Sequence, residues 1–156
     1  MRSGYFDALI TGYDENSMPI FDRAEDAEFF CKLFGVLVSD GVLATPSTCL
    51  QVVAAPGMAV TVKAGLGMIK GRLGWAENDE TLALAAATSL NRIDRVVLRL
   101  DYLGREVRLA VVKGTAASSP TAPALQRDGD AYELALADVY VAANATSISQ
   151  ADITDR

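Results

Sequence analysis

The spacing of apolar positions changes twice along the chain, and each change predicts a different kind of structure. Residues 1–22 scatter Tyr5, Phe6, Leu9, Ile10, Tyr13, Ile20 and Phe21 among Gly4, Gly12, Asn16 and Pro19, with no sustained period of either two or 3.6. The reading is an extended arm that needs a surface to lie on, its own domain or another subunit. From there Ala27, Phe30, Cys31 and Phe34 recur at i, i+3, i+4 and i+7. That spacing predicts a helix over residues 23–39, capped by Asp22, with Glu25, Asp26 and Glu28 in the turns where the helix dipole favours negative charge and Asp40-Gly41 ending it. Phe29 and Leu33 widen the apolar surface, so the helix is either a core helix packed on its own sheet or an inter-subunit contact.

Beyond Thr45 the period shortens to two. Met58, Val60 and Val62 alternate with Ala59, Thr61 and Lys63, and a further strand is expected over residues 80–85 with Leu82 and Leu84 on one side. The strongest pattern is a hairpin. Val96, Leu98, Leu100 and Tyr102 alternate with Arg95, Arg99 and Asp101, and after Leu103-Gly104 the run Val107, Leu109, Val111 alternates about Arg108. Its polar face, with Asp94, Arg95, Arg99, Asp101, Arg105, Glu106 and Arg108, reads as a solvated sheet face with compensating charges rather than an anion site. Residues 114–123, small and with two prolines, read as an ordered or polyproline-like crossing. In residues 132–142 the phase set by Tyr132, Leu134 and Leu136 shifts to Val139 and Val141, which predicts a bulge near Ala137-Asp138. The fold expected is mainly β: an antiparallel β-sandwich over residues 23–156 with one helix, preceded by the arm.

The glycines at 65, 67, 71 and 74 surround Met68, Ile69, Leu73 and Trp75 but miss the dinucleotide fingerprint, because Lys70 stands where its third glycine belongs. They read instead as marks of bulges, tight turns or close backbone approach. Arg127-Asp128-Gly129-Asp130 has the start of a calcium loop without its later ligand positions, and reads as a turn. Composition removes chemistry rather than adding it. There is no histidine, which excludes Ser-His-Asp and Cys-His nucleophile systems and histidine metal sites. Fourteen basic against twenty acidic residues give a formal charge of −6, which repels a nucleic-acid backbone. Cys31 and Cys49 fit no metal or redox spacing and read as reduced packing residues. No apolar run reaches the roughly 18 residues that span a bilayer, and Met1 to Ile10 has one Arg and then Asp7 rather than a basic region followed by an apolar stretch, so no signal peptide is expected. No cofactor, no nucleic acid and no membrane are therefore expected, and no enzyme activity.

Three blocks carry a resemblance: Asn91-Arg92-Ile93-Asp94-Arg95-Val96-Val97-Leu98-Arg99, then Leu109-Ala110-Val111-Val112-Lys113-Gly114-Thr115 with Pro120-Thr121-Ala122-Pro123, then Tyr132-Glu133-Leu134-Ala135-Leu136-Ala137-Asp138-Val139 and Ile153-Thr154-Asp155. Their order and spacing resemble the amino-terminal part of tail-fibre and baseplate proteins of phages and prophages of Gram-positive bacteria. Gly4-Tyr5-Phe6, the acidic helix and Gly57-Met58-Ala59-Val60 are similar as well. The resemblance implies a virion structural protein made in the bacterial cytoplasm. It would be an adaptor that assembles, commonly as a homotrimer, with other tail or baseplate proteins and links them to host-recognition parts. In longer members the Ile-Thr-Asp motif leads into further fibre or carbohydrate-binding domains.

Apolar anchors dominate assembly interfaces, so Phe6, Ile10, Ile20 and Phe21 on the arm and Phe29, Leu33 and Leu37 on the helix are the candidate contact residues. The alternative is a carbohydrate-binding β-sandwich in which Trp75, Tyr102 and Tyr140 stack on host wall sugars. A carboxylate glycosidase would need two acids held about 5–9.5 Å apart, and no motif here places such a pair.

Overall fold

Alternation along the second half of the chain is strict enough to fix both strand pairing and register. The computed structural model describes residues 8–23 and 26–156. It is mainly β and antiparallel, with a sandwich-like arrangement of sheets. The longest strands, β9 (Arg92–Asp101), β10 (Glu106–Val112) and β11 (Ala131–Val141), form a sheet ordered β10-β9-β11-β12, with β12 at Ile153–Asp155. Two three-stranded sheets accompany it. One has the order β3-β6-β7 (Gly41–Val42, Gly65–Ile69, Arg72–Ala76), the other β4-β5-β8 (Val52–Ala55, Ala59–Val62, Glu80–Ala83). One apolar cluster joins all three sheets through Val52, Val60, Val62, Ile69, Val96, Leu98, Leu100, Val139 and Val141.

The glycine passage exists because the sheets approach closely. Gly67 and Gly74 are register partners, and Leu98 lies against both. A Cβ at Gly67 would stand 2.6 Å from Leu98 Cδ2, and one at Gly74 would stand 2.6 Å from Val107 Cγ1. The bulge also forms, at Leu136: Ala135 opposes Val97 and Ala137 opposes Val96, so Leu136 is the extra residue and Val139 and Val141 return to the core side. Arg127–Asp130 is a turn in which the Asp128 carboxylate accepts from the backbone N–H groups of Asp130 and Ala131.

Three expectations need correction. The arm is not an extended strand: β1 (Ile10–Tyr13) and β2 (Pro19–Phe21) form an antiparallel hairpin, with an irregular register between Ile10 and Gly12 that hides its period in the sequence. The helix α1 is shorter, Ala27–Leu37, and its cap is Asp26, whose carboxylate accepts from the Phe29 N–H at 2.8 Å. Asp22 instead closes the base of the hairpin, accepting from the Leu9 N–H, and that hydrogen bond holds its carboxyl below the ordinary value. The helix buries none of its residues, so the core-helix reading fails.

The third correction concerns the polar face of the β9–β10 hairpin. Arg95 and Arg99 do not lie in open solvent. They sit directly opposite Asp138 and Glu133 of β11, and residues 114–126 cross over them. Arg95 donates to the Pro123 carbonyl, Arg99 to the Gln126 side chain, and the Gln126 N–H to Glu133. Asp94 is buried on the core phase of β9, paired with Arg92. Arg108 and Glu106 do form an exposed pair.

Candidate functional site

Helix α1 reaches the body through a turn rather than through a core. The β6–β7 connection is a two-residue turn, Lys70-Gly71, in which both residues have positive φ (50° and 72°). The Cys31 segment of the helix rests on it so closely that a Cβ at Gly71 would overlap the Cys31 carbonyl. Just past the helix, Asp40 accepts from the Lys70 N–H at 2.7 Å and pairs with Lys70 Nζ at 2.9 Å, while the same ammonium lies 4.0 Å over the Tyr132 ring. Burial raises the Asp40 carboxyl, but the Lys70 hydrogen bonds and charge outweigh it and hold the group below its ordinary value. The reciprocal hydrogen bond to Asp40 raises Lys70.

This perch leaves the apolar stripe of the helix open. Ala27, Phe30, Cys31, Phe34 and Val38 on one side and Leu43, Met68, Arg72 and Leu73 on the other line an almost wholly apolar groove of about 610 Å³. Phe30, Phe34 and Leu73 are all substantially exposed along it. Two residues further along β7, Trp75 is 65% exposed and extends the apolar surface beyond the groove.

Of the candidate contact residues, Ile10, Ile20 and Phe21 are exposed on the hairpin, and Leu37 is exposed on the helix. Phe29 and Leu33 are half-buried. Phe6 lies outside the described residues. The groove itself belongs to Phe30 and Phe34, which the i, i+3, i+4, i+7 stripe already marked. The three candidate sugar-stacking rings do not come together. Tyr140 is the register partner of Ile93 at one end of β9, whereas Tyr102 follows Asp101 at the other end, on the order of 30 Å away at ~3.3 Å per residue. Tyr102 is half-buried, with the Arg72 guanidinium over its ring.

The buried acids are held by arginines. Arg92 Nε contacts both Asp94 oxygens at 3.0 and 3.1 Å and also donates to the carbonyls of Ala85 and Ala86, while Asp94 accepts from the Gly114 N–H. Asp138 receives Arg95 and Arg156, each at 2.6 Å. Burial pushes the Asp138 carboxyl up, but those two guanidinium groups outweigh it and hold it below the ordinary value. These networks lock segments together. Cys31 and Cys49 are free thiols. Cys49 is buried against Leu66, its Sγ donating to the carbonyl and accepting from the N–H, and Cys31 opens on the groove. No helix among the described residues is long and apolar enough to cross a bilayer. No family model, curated protein or solved structure matches this chain.

Proposed function

We propose that this chain is an assembly module of a phage or prophage tail, which self-associates, as a homotrimer in the resemblance's pattern, and joins a tail fibre or host-recognition part to the baseplate. The observation that carries the reading is the uncovered apolar surface of the hairpin and α1. Among the described residues, most of the exposed large apolar side chains precede Cys49, and no residue before Cys49 is buried. Surfaces of that kind mark interaction sites rather than catalysis. The resemblance of residues 91–156 to tail-fibre and baseplate proteins gives the assembly its class. Light scattering coupled to size exclusion tests it. A stable species near three times 16.5 kDa is expected, and a monomer that persists at high concentration overturns it.

One observation favours the carbohydrate reading: the exposure of Trp75. It is the only tryptophan in the chain, so its fluorescence reports on that ring alone. Saturable quenching by wall polysaccharide supports sugar binding, and no response leaves Trp75 to the apolar surface it extends.

A further inference from the structure

The groove beside α1 and the β1–β2 hairpin are two uncovered apolar surfaces on the same chain, and they do not cover each other. Among the described residues the hairpin strands pair only with one another, and no hairpin residue lines the groove. We propose that the groove is the seat of the β1–β2 hairpin of a second copy of this chain. The inference rests on the self-assembly reading and specifies its geometry.

Four features point to that occupant. The first is that the hairpin is apolar on both faces. Ile10 and Phe21 are register partners and share one face, while Ile20, one residue along, points to the other; all three are exposed. A hairpin meant to lie on its own domain needs only one apolar face. The second is that neither part has enough support alone. A two-stranded hairpin is marginal in water, and so is an 11-residue helix without a buried face.

The third is area. Between 39 and 66% of Tyr13, Phe21, Phe30, Phe34 and Trp75 faces outward, which amounts to roughly 500 Å² at about 200 Å² per aromatic side chain. Leu9, Ile10, Met18, Ile20 and Leu73 add to it, so hairpin and groove together approach ~800 Å², which is each partner's share of a stable interface when two copies exchange hairpins and about half of the ~1,600 Å² total for a single hairpin-in-groove contact in a ring. The fourth is charge. Among the described residues Arg72, on the groove, has no carboxylate partner; its guanidinium donates to the Lys70 carbonyl and covers Tyr102. Glu15, in the hairpin turn, has no cation partner among the described residues. Seating one hairpin in the next groove carries an acidic tip toward a basic rim. Because the two surfaces differ, the contact is heterologous and closes as a ring or a reciprocal pair.

The native thiol of Cys31 in the groove supplies the test. Ile20→Cys and Phe21→Cys place a thiol on each face of the hairpin in turn, and diamide then oxidises the full-length variants. The expected product is a disulfide between the introduced thiol of one copy and Cys31 of another. It appears as a multiple of the chain mass on a non-reducing gel and is lost in the Cys31→Ser background. A disulfide within one chain overturns the proposal, because the hairpin then covers its own groove. Absence of any bridge in a protein that light scattering shows to be oligomeric overturns the groove assignment while self-assembly stands; a monomer overturns both. A charge reversal gives an independent reading. Arg72→Glu or Glu15→Arg alone should weaken association several-fold and the double variant restore it, and purely additive losses count against the contact.

Discussion

The two ends of this molecule treat apolar residues in opposite ways. In residues 49–156 almost every strand turns its apolar phase into one cluster, and even charged side chains on that phase, Arg92 and Asp94, are buried and mutually paired. In residues 8–48 the apolar side chains are as large, but none is buried, and the ties to the body are the Gly71 turn, the Asp40–Lys70 pair and the short strand β3, which pairs with β6 and leads into the Leu43–Leu66 backbone bond. The first region has the organisation of a self-sufficient fold. The second has the composition of a core without a core, which is the signature of a surface completed by another molecule.

The largest consequence is in local stability. In protein dilute enough to be monomeric, amides of β9 and β11 should exchange only through global unfolding, worth about 5–15 kcal/mol, whereas those of β1, β2 and α1 should exchange with barriers near zero. Raising the concentration should slow the second group and leave the first unchanged. Equal protection of both regions at every concentration would remove the contrast.

Next in size is the buried pair. Asp94→Ala strands the Arg92 guanidinium, which is 1% exposed, and should cost about 3–5 kcal/mol in urea unfolding. Val36→Ala, on the exposed side of α1, should stay within about 0.5 kcal/mol. Similar costs at the two positions would mean that the helix is part of the cooperative unit.

Acid should act on the body through Asp138. Its carboxyl is held below the ordinary value in the fold, so the unfolded chain binds the proton more readily and stability rises with pH. The contribution is complete above the unfolded value of about 3.9 and is lost as pH falls through the lower folded value. Asp138→Asn should flatten the unfolding midpoint across that acid window. A profile identical to the unsubstituted protein would show that the Arg95–Asp138–Arg156 cluster does not carry the acid response.

What could be read from the sequence follows the same divide. The β9–β10 hairpin, the bulge at Leu136 and the crossing at residues 114–123 were legible because a half-buried strand must alternate, and a break in alternation must be absorbed somewhere. The burial of Asp94 was also legible, since it shares parity with Val96, Leu98 and Leu100; assigning it to the polar face put charge ahead of position. The cover over Arg95 and Arg99 was not legible from either strand alone. It depends on the register that sets Asp138 and Glu133 opposite them and on the path of residues 114–126, both long-range facts. The β1–β2 hairpin was missed because its register breaks between Ile10 and Gly12, and because a strand bare on both faces has no buried side to impose a period. The groove was half legible. The stripe of Ala27, Phe30, Cys31 and Phe34 was evident, but a stripe looks the same whether its partner lies in the same chain or in another.

The smallest effect concerns the tie between the two regions. Asp40 and Lys70 are partly exposed, with side chains 24% and 42% accessible, so their attraction is screened and worth at most about 1 kcal/mol. Asp40→Asn keeps an oxygen for the Lys70 N–H but removes the charge. Global unfolding of residues 49–156 should barely move, while exchange at the end of α1 and in β3 speeds up by no more than about fivefold, the equivalent of 1 kcal/mol. The difference from the unsubstituted protein should vanish in 1 M salt, where the Debye length falls to about 3 Å. If the substitution instead lowers the global midpoint by several kcal/mol, the helix and the body fold as one unit, and the open groove has to be explained by the packing of that unit rather than by a second molecule.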